Sequence, residues 1–138
     1  MEAFGLQVSN LVGSSLFKAP RELRRQVVKK GLFNANFKPD FDSFDVVAAV
    51  GDPFQAFSMG LLIGARLAKQ TVILSGGSQM IAVILLVLEI LDETNKDEFI
   101  EDVFIATTGW LVKDNTLNDL VNLINEKYDI KLLSLIHI

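Results

Sequence analysis

An α/β domain built on a mostly parallel sheet is the fold class this sequence predicts, and three observations carry it. The candidate strands are continuously apolar rather than alternating, as strands covered on both faces are. They alternate along the chain with helical patterns, the arrangement a parallel sheet needs. Three of them end in small hydroxyl or glycine clusters: Gly13-Ser14-Ser15, Ser75-Gly76-Gly77-Ser78 and Thr107-Thr108-Gly109. At 138 residues the chain is one domain or part of one, long enough to bury a real core, and an apolar share of one half points to elements covered on more than one side.

In order along the chain, the first strand is expected at Gln7–Val12, followed by the turn at Gly13-Ser14-Ser15. A helix from Pro20 to Gly31 follows, with Pro in its first turn and Gly at its end, where each is preferred. Residues 31–40 read as loop, and Phe41–Val50 is open between a short helix and a strand. Asp52 caps a helix with Pro53 at its first position, running to Lys69. A strand at Thr71–Leu74 stops at Ser75 and feeds a helix from Gly77 to Asp92. Val103–Thr107 is a third strand, Asn115–Tyr128 an amphipathic helix marked by Leu117, Leu120, Val121 and Ile124, and Ile130–Leu135 a last strand. Together these elements predict a Rossmann-like three-layer domain, its mostly parallel sheet of about four strands flanked by helices.

Composition excludes several functions. A net charge of −4 with no dominant basic face argues against nucleic-acid binding. The absence of cysteine excludes disulfides and thiolate-held metals, and the lone His137 excludes a multi-histidine site. The apolar run from Met80 to Leu88 is short of the roughly 20 residues a membrane span needs, so no membrane partner is expected. The first residues lack the pattern of a signal peptide, and a cytoplasmic location is the default. Helices as apolar as Met80–Leu91 need cover, which a further segment or a partner subunit would supply; a homo-oligomer is expected.

In parallel sheets ligands sit beyond the carboxyl ends of the strands, where helix N-termini present free N–H groups. The three strand-end clusters therefore predict a polar, anion-tolerant floor. Neither a dinucleotide-binding glycine fingerprint nor a phosphate loop with Gly-Lys-Ser/Thr is present. Gly60 and Gly64 fall inside a helix, where close packing against the sheet is favoured over a ligand role. The acidic run from Glu89 to Asp102 reads as a solvated helix end and loop. The basic residues Lys18, Arg21, Arg24, Arg25, Lys29 and Lys30 form a mostly solvated face, from which one or two reach a phosphate near Ser14 and Ser15.

Gly51-Asp52-Pro53-Phe54-Gln55-Ala56, Gly60 and residues 71–89 (TVILSGGSQMIAVILLVLE) resemble the C-terminal-half core of the nicotinate-nucleotide–dimethylbenzimidazole phosphoribosyltransferase family, closest to its archaeal-type branch. Residues 12–28 resemble the family's Gly-Thr-Gly loop with its downstream basic residue, and Ala106-Thr107-Thr108-Gly109-Trp110 stands where the family has a Ser/His-containing strand end. The sequence departs from the family at Ser75, where the family has aspartate, and at Ser14-Ser15.

The resemblance implies transfer of 5-phosphoribosyl from nicotinate mononucleotide to a benzimidazole-like base, giving the lower ligand of cobamides, with no metal and no cofactor. It implies Gly13, Ser14 and Ser15 with Arg24 or Arg25 at the phosphate. It places Gly51, Asp52, Ser75, Gly76, Gly77 and Ser78 along the ribose, and Thr107, Thr108 and Gly109 near the phosphate or nicotinate. The family's catalytic glutamate lies in a Gly-rich loop after the last strand, matched by no residue here. The chain thus reads as a single α/β domain from a longer enzyme, itself inactive. A non-catalytic nucleotide-binding or interaction module explains the glycine and hydroxyl turns equally well.

Overall fold

Two aspartates set the helical layer. Asp42 and Asp52 each stand in extended backbone, and each side chain accepts a hydrogen bond from a backbone N–H in the first turn, while the side-chain oxygen of the third helical residue, Asp45 or Gln55, accepts one from the cap residue's own N–H. These are reciprocal capping boxes. They start α2 (Ser43–Val50) and α3 (Pro53–Leu67) and resolve the ambiguous Phe41–Val50 segment as helix. The computed structural model describes residues 1–12, 20–107 and 116–136.

The remaining elements are α1 (Arg21–Ala35), β1 (Val72–Ser75), α4 (Ser78–Leu88), α5 (Glu93–Ile100), β2 (Val103–Thr107), α6 (Thr116–Tyr128) and β3 (Leu133–Ile136). The three strands are all parallel in the order β1-β2-β3, with Val72 opposite Val103 and Thr107 opposite Ile136. Sequential order with right-handed crossovers puts the connecting helices on one face. That face carries Val72 and Leu74 of β1 and the fully buried Val103 and Ile105 of β2. The other face carries Ile73, which is 59% exposed. The class is therefore α/β with a parallel sheet flanked by helices.

α4 is the centre of the core. Every residue from Met80 to Leu88 is buried, packed among Met59 and Leu62 of α3, Val46 of α2, Leu120 and Ile124 of α6, and β2. Ser43 Oγ donates to the Leu86 carbonyl at 2.7 Å, satisfying a buried hydroxyl and tying α2 to α4. The cover expected from elsewhere for this run comes from the chain's own elements.

Several expectations are corrected. Gln7–Val12 is not a strand: Leu6 and Val8 insert into the core from a segment with no ladder partner, and Val8 O accepts from Leu11 N and Val12 N in a turn. The apolar residues there serve packing rather than pairing. The sheet consequently has three strands among the described residues rather than about four. Helix α1 runs past Gly31 to Ala35 and ends at Asn36, whose φ of 44° supplies the left-handed cap; Gly31 instead lies close to Val50. The Gly77–Asp92 helix stops at Leu88, and part of the acidic run forms α5.

α3 is held by an unusual anchor. Arg66, its only charged residue, has a side chain just 9% exposed. Its guanidinium donates to the carbonyls of Phe99 (2.9 Å), Glu98 (3.1 Å) and Gln70 (2.8 Å) and pairs with Asp102 at 3.3 Å. A cation is thereby placed on the carbonyl-rich C-terminal end of α5, where the helix dipole favours it. Among the described residues no helix is long and apolar enough to cross a membrane.

Candidate functional site

β1 and β2 end side by side. Gly76 N donates to the Ala106 carbonyl at 2.8 Å, extending the pairing one step past Ser75. The chain then turns into α4 through Gly76, whose φ of 158° lies at the edge of the glycine-favouring region. A Cβ on Gly76 would stand 2.8 Å from the Met80 side chain, so the turn requires glycine for space as well.

Gly77 caps α4 with no side-chain hydrogen bond. Met80 N and Ile81 N both reach the Gly77 carbonyl, and among the described residues no partner serves the N–H groups of Gly77, Ser78 and Gln79. Three donors at the positive end of a helix dipole form a seat for an anionic or polar oxygen.

Thr107 is the second part of the site. Side chains alternate along β2, so Thr107 shares the helix-covered face with Val103 and Ile105, at the carboxyl end where α4 begins. It is buried, and its Oγ1 is without a hydrogen-bond partner, alone in this among the buried side-chain polar atoms of the described residues. An unsatisfied buried hydroxyl costs about 1–3 kcal/mol. Such groups are rare in folded proteins, and each calls for an explanation in strain, in function, or in a bound water or ion.

The other predicted residues fall into a separate group. Arg24, Arg25 and Gly51 line a cavity of about 520 Å³ between α1, α2 and α4, whose wall includes Val46, Ala82 and Leu86. Arg24 Nη1 donates to the Val12 carbonyl at 3.0 Å, while Arg25 is exposed and sits 3.9 Å from Glu22. Ala82 lies one helical turn, about 6 Å, beyond Ser78, so α4 joins the two groups. Gly51 serves the tight α2–α3 turn: a Cβ there would stand 2.7 Å from Val47 backbone atoms. The Asp52 carboxylate is engaged in capping α3. Gly13, Ser14, Ser15, Thr108 and Gly109 lie outside the described residues.

Sequence reasoning missed a cluster around α6. Glu89 accepts from Lys127 Nζ at 2.7 Å and from the Tyr128 hydroxyl, and two ammonium groups approach the Tyr128 ring, Lys96 Nζ at 4.8 Å and Lys127 Nζ at 4.7 Å from its centre. Burial, followed by the hydrogen bond and charge of Glu89, pushes the Tyr128 phenol well above its usual range. Lys96, buried within a polar stretch, pairs with Glu93. No local pattern marks a lysine for burial, because its partner ring comes from 32 residues further along. Among the described residues no three His, Cys, Asp or Glu side chains are grouped as a metal ion would need.

No family model matches the chain. Among known proteins it is similar to UPF0284 proteins of marine cyanobacteria. It is 90% identical over 135 residues to one from Prochlorococcus marinus strain AS9601 and 35% identical over 143 residues to one from strain MIT 9313. Over 111 residues it is 39% identical to one from Parasynechococcus marenigrum strain WH8102. Its first two matches cover 98% of this chain but only 35% of the relatives. The chain thus corresponds to one part of these proteins and spans about a third of their length.

Proposed function

We propose that the carboxyl ends of β1 and β2, with the first turn of α4, seat the phosphoribosyl part of a nucleotide. In this reading the longer proteins to which the chain is similar transfer 5-phosphoribosyl from nicotinate mononucleotide to a benzimidazole-like base for cobamide assembly. The observation that carries it is the unpartnered Thr107 Oγ1 at the end of β2, next to the strand whose end leads into the free N–H groups of Gly77, Ser78 and Gln79. A hydroxyl and convergent backbone donors are suited to phosphate or ribose oxygens. The resemblance stated above supplies the ligand's identity.

In the transfer, an azole nitrogen bonds to C1′ as the C1′–N bond to nicotinate breaks, its electron pair leaving on the nicotinate nitrogen. The azole proton passes to a base, which the resemblance assigns to a glutamate in a Gly-rich loop that no residue of this chain matches. The role of this chain is then to bind and orient the donor, holding C1′ against the incoming base. Arg24 donates to the Val12 carbonyl and, in this reading, supplies a cation for the phosphate.

The test is calorimetry on the full-length Prochlorococcus marinus AS9601 protein with nicotinate mononucleotide. Binding is expected, weakened by roughly 10-fold or more on Thr107→Val, since a hydrogen bond to a charged group is worth about 1.5–3 kcal/mol. No binding by the unaltered protein, or ligand density remote from the strand ends in a soaked crystal, would sink the reading.

A further inference from the structure

α3 faces the wrong way for a surface helix. Its single charge, Arg66, is on the inner side, while the outward side presents Phe54, Phe57, Gly60, Leu61, Gly64 and Leu67. Phe57 is 67% exposed, Leu61 58% and Phe54 51%. A soluble helix carries its charge toward water, and one apolar all round is covered all round. On α3 the inner stripe of Ser58, Met59 and Leu62 is already buried against the chain's own core. The outward stripe is a second apolar face.

Its relief is specific. A Cβ built on Gly60 or on Gly64 meets nothing within 4 Å, so neither glycine serves packing against the sheet, which corrects the expectation from the sequence. Two glycines one turn apart, between Phe57 and Leu67, make a shallow trough along the helix. Such troughs admit a second helix at close range. Within α3 these glycines are costly, each being a poorer helix former than alanine by about 1 kcal/mol, which open solvent does not repay.

We propose that this trough is the seat of a helix from the polypeptide that makes up the rest of the UPF0284 proteins. The chain spans 35% of those relatives, so nearly two thirds of their length lies outside it and must fold against something. A tethered segment reaches the trough at an effective concentration that a separate molecule does not. The absence of any charge on the outward stripe fits a permanent seat, because surfaces that open and close carry polar groups. Phe44 and Val50 of α2, exposed as well, add to the apolar surface to be covered. The proposal is independent of the ligand assigned above.

The experiment uses the full-length Prochlorococcus marinus AS9601 protein carrying Gly60→Leu and Gly64→Leu at the matching positions, read by thermal melting and light scattering. Leucine is the better helix former, so on an open face the double variant melts higher. In a filled trough the added side chains collide with the seated helix. The expected result is a melting temperature lower by several degrees at unchanged molecular mass. A higher or equal melting temperature overturns the proposal, and so does a fall in mass, which would make the occupant a second copy. A second readout covers failure to fold. A cysteine placed by Phe57→Cys is expected to resist a thiol reagent at every protein concentration until denaturant is added. Prompt labelling of the native protein overturns the seat, and labelling only on dilution assigns the face to a second copy.

Discussion

α4 and α3 carry much the same sequence signature, long apolar runs with small residues and no charge on most of their turns, yet they end in opposite environments. α4 is sealed from Met80 to Leu88 by four elements of its own chain. α3 is sealed on one stripe and open on the other, with its one charge turned inward. The difference teaches that hydropathy states a helix's need for cover and says nothing of who supplies it. From the sequence, the Met80–Leu91 run looks like the element lacking a partner; in the fold it is α3.

The sharpest test sets one leucine against another. Leu85→Ala is expected to cost about 2–5 kcal/mol, since a cavity opens where nothing can collapse. Leu61→Ala in the same 138 residues is expected to stay within about 0.5 kcal/mol, as exposed substitutions do. Urea denaturation of both variants decides it, and equal losses would break the comparison. Next comes Tyr128→Phe, which removes one of the two donors to the Glu89 carboxylate and leaves Lys127 Nζ, at a cost of about 1.5–3 kcal/mol.

That contribution has a pH signature. The folded state raises the phenol above its ordinary value of 10.0, so the native form holds the proton more tightly than the unfolded one. Its stabilisation is full below pH 10 and is lost as the pH climbs above it. Stability of the unaltered chain should therefore fall above pH 10 more steeply than that of Tyr128→Phe, measured by denaturant midpoints across that range.

Smaller effects sharpen the picture of how each helix begins. Asp52→Ala removes the cap of α3 and should cost about 1 kcal/mol, readable as lost helical ellipticity and a lower midpoint. At the start of α4, Thr107→Val should raise stability by up to about 1 kcal/mol in the absence of ligand, since it removes an unsatisfied hydroxyl at similar volume. A loss of stability there would mean that the hydroxyl already has a partner, and the site would lose its main support.

Much of the fold was legible because it is written locally. Asp52-Pro53 announces α3, the Leu117-Leu120-Val121-Ile124 spacing announces α6, and the apolar Val103–Thr107 run announces β2. The errors arose where burial without pairing mimics a strand, as at Leu6 and Val8, and where a polar run hides a buried lysine, as at Lys96. The candidate site was legible in part. Ser75, Gly76, Gly77, Ser78 and Thr107 meet at the strand ends as the parallel topology requires, because each belongs to a strand terminus. Arg24, Arg25 and Gly51 come from helices whose docking no local pattern specifies, and they gather instead around the neighbouring cavity.

The sequence by itself determined the α/β class, the capped helix starts and the strand ends, since these follow from side-chain shape, capping chemistry and apolar runs within a few residues of one another. Only the tertiary structure decided that Arg66 points inward, that Gly60 and Gly64 face open space, and that the Thr107 hydroxyl is buried without a partner. Those facts depend on which surfaces meet, and such meetings are settled by groups far apart in the chain.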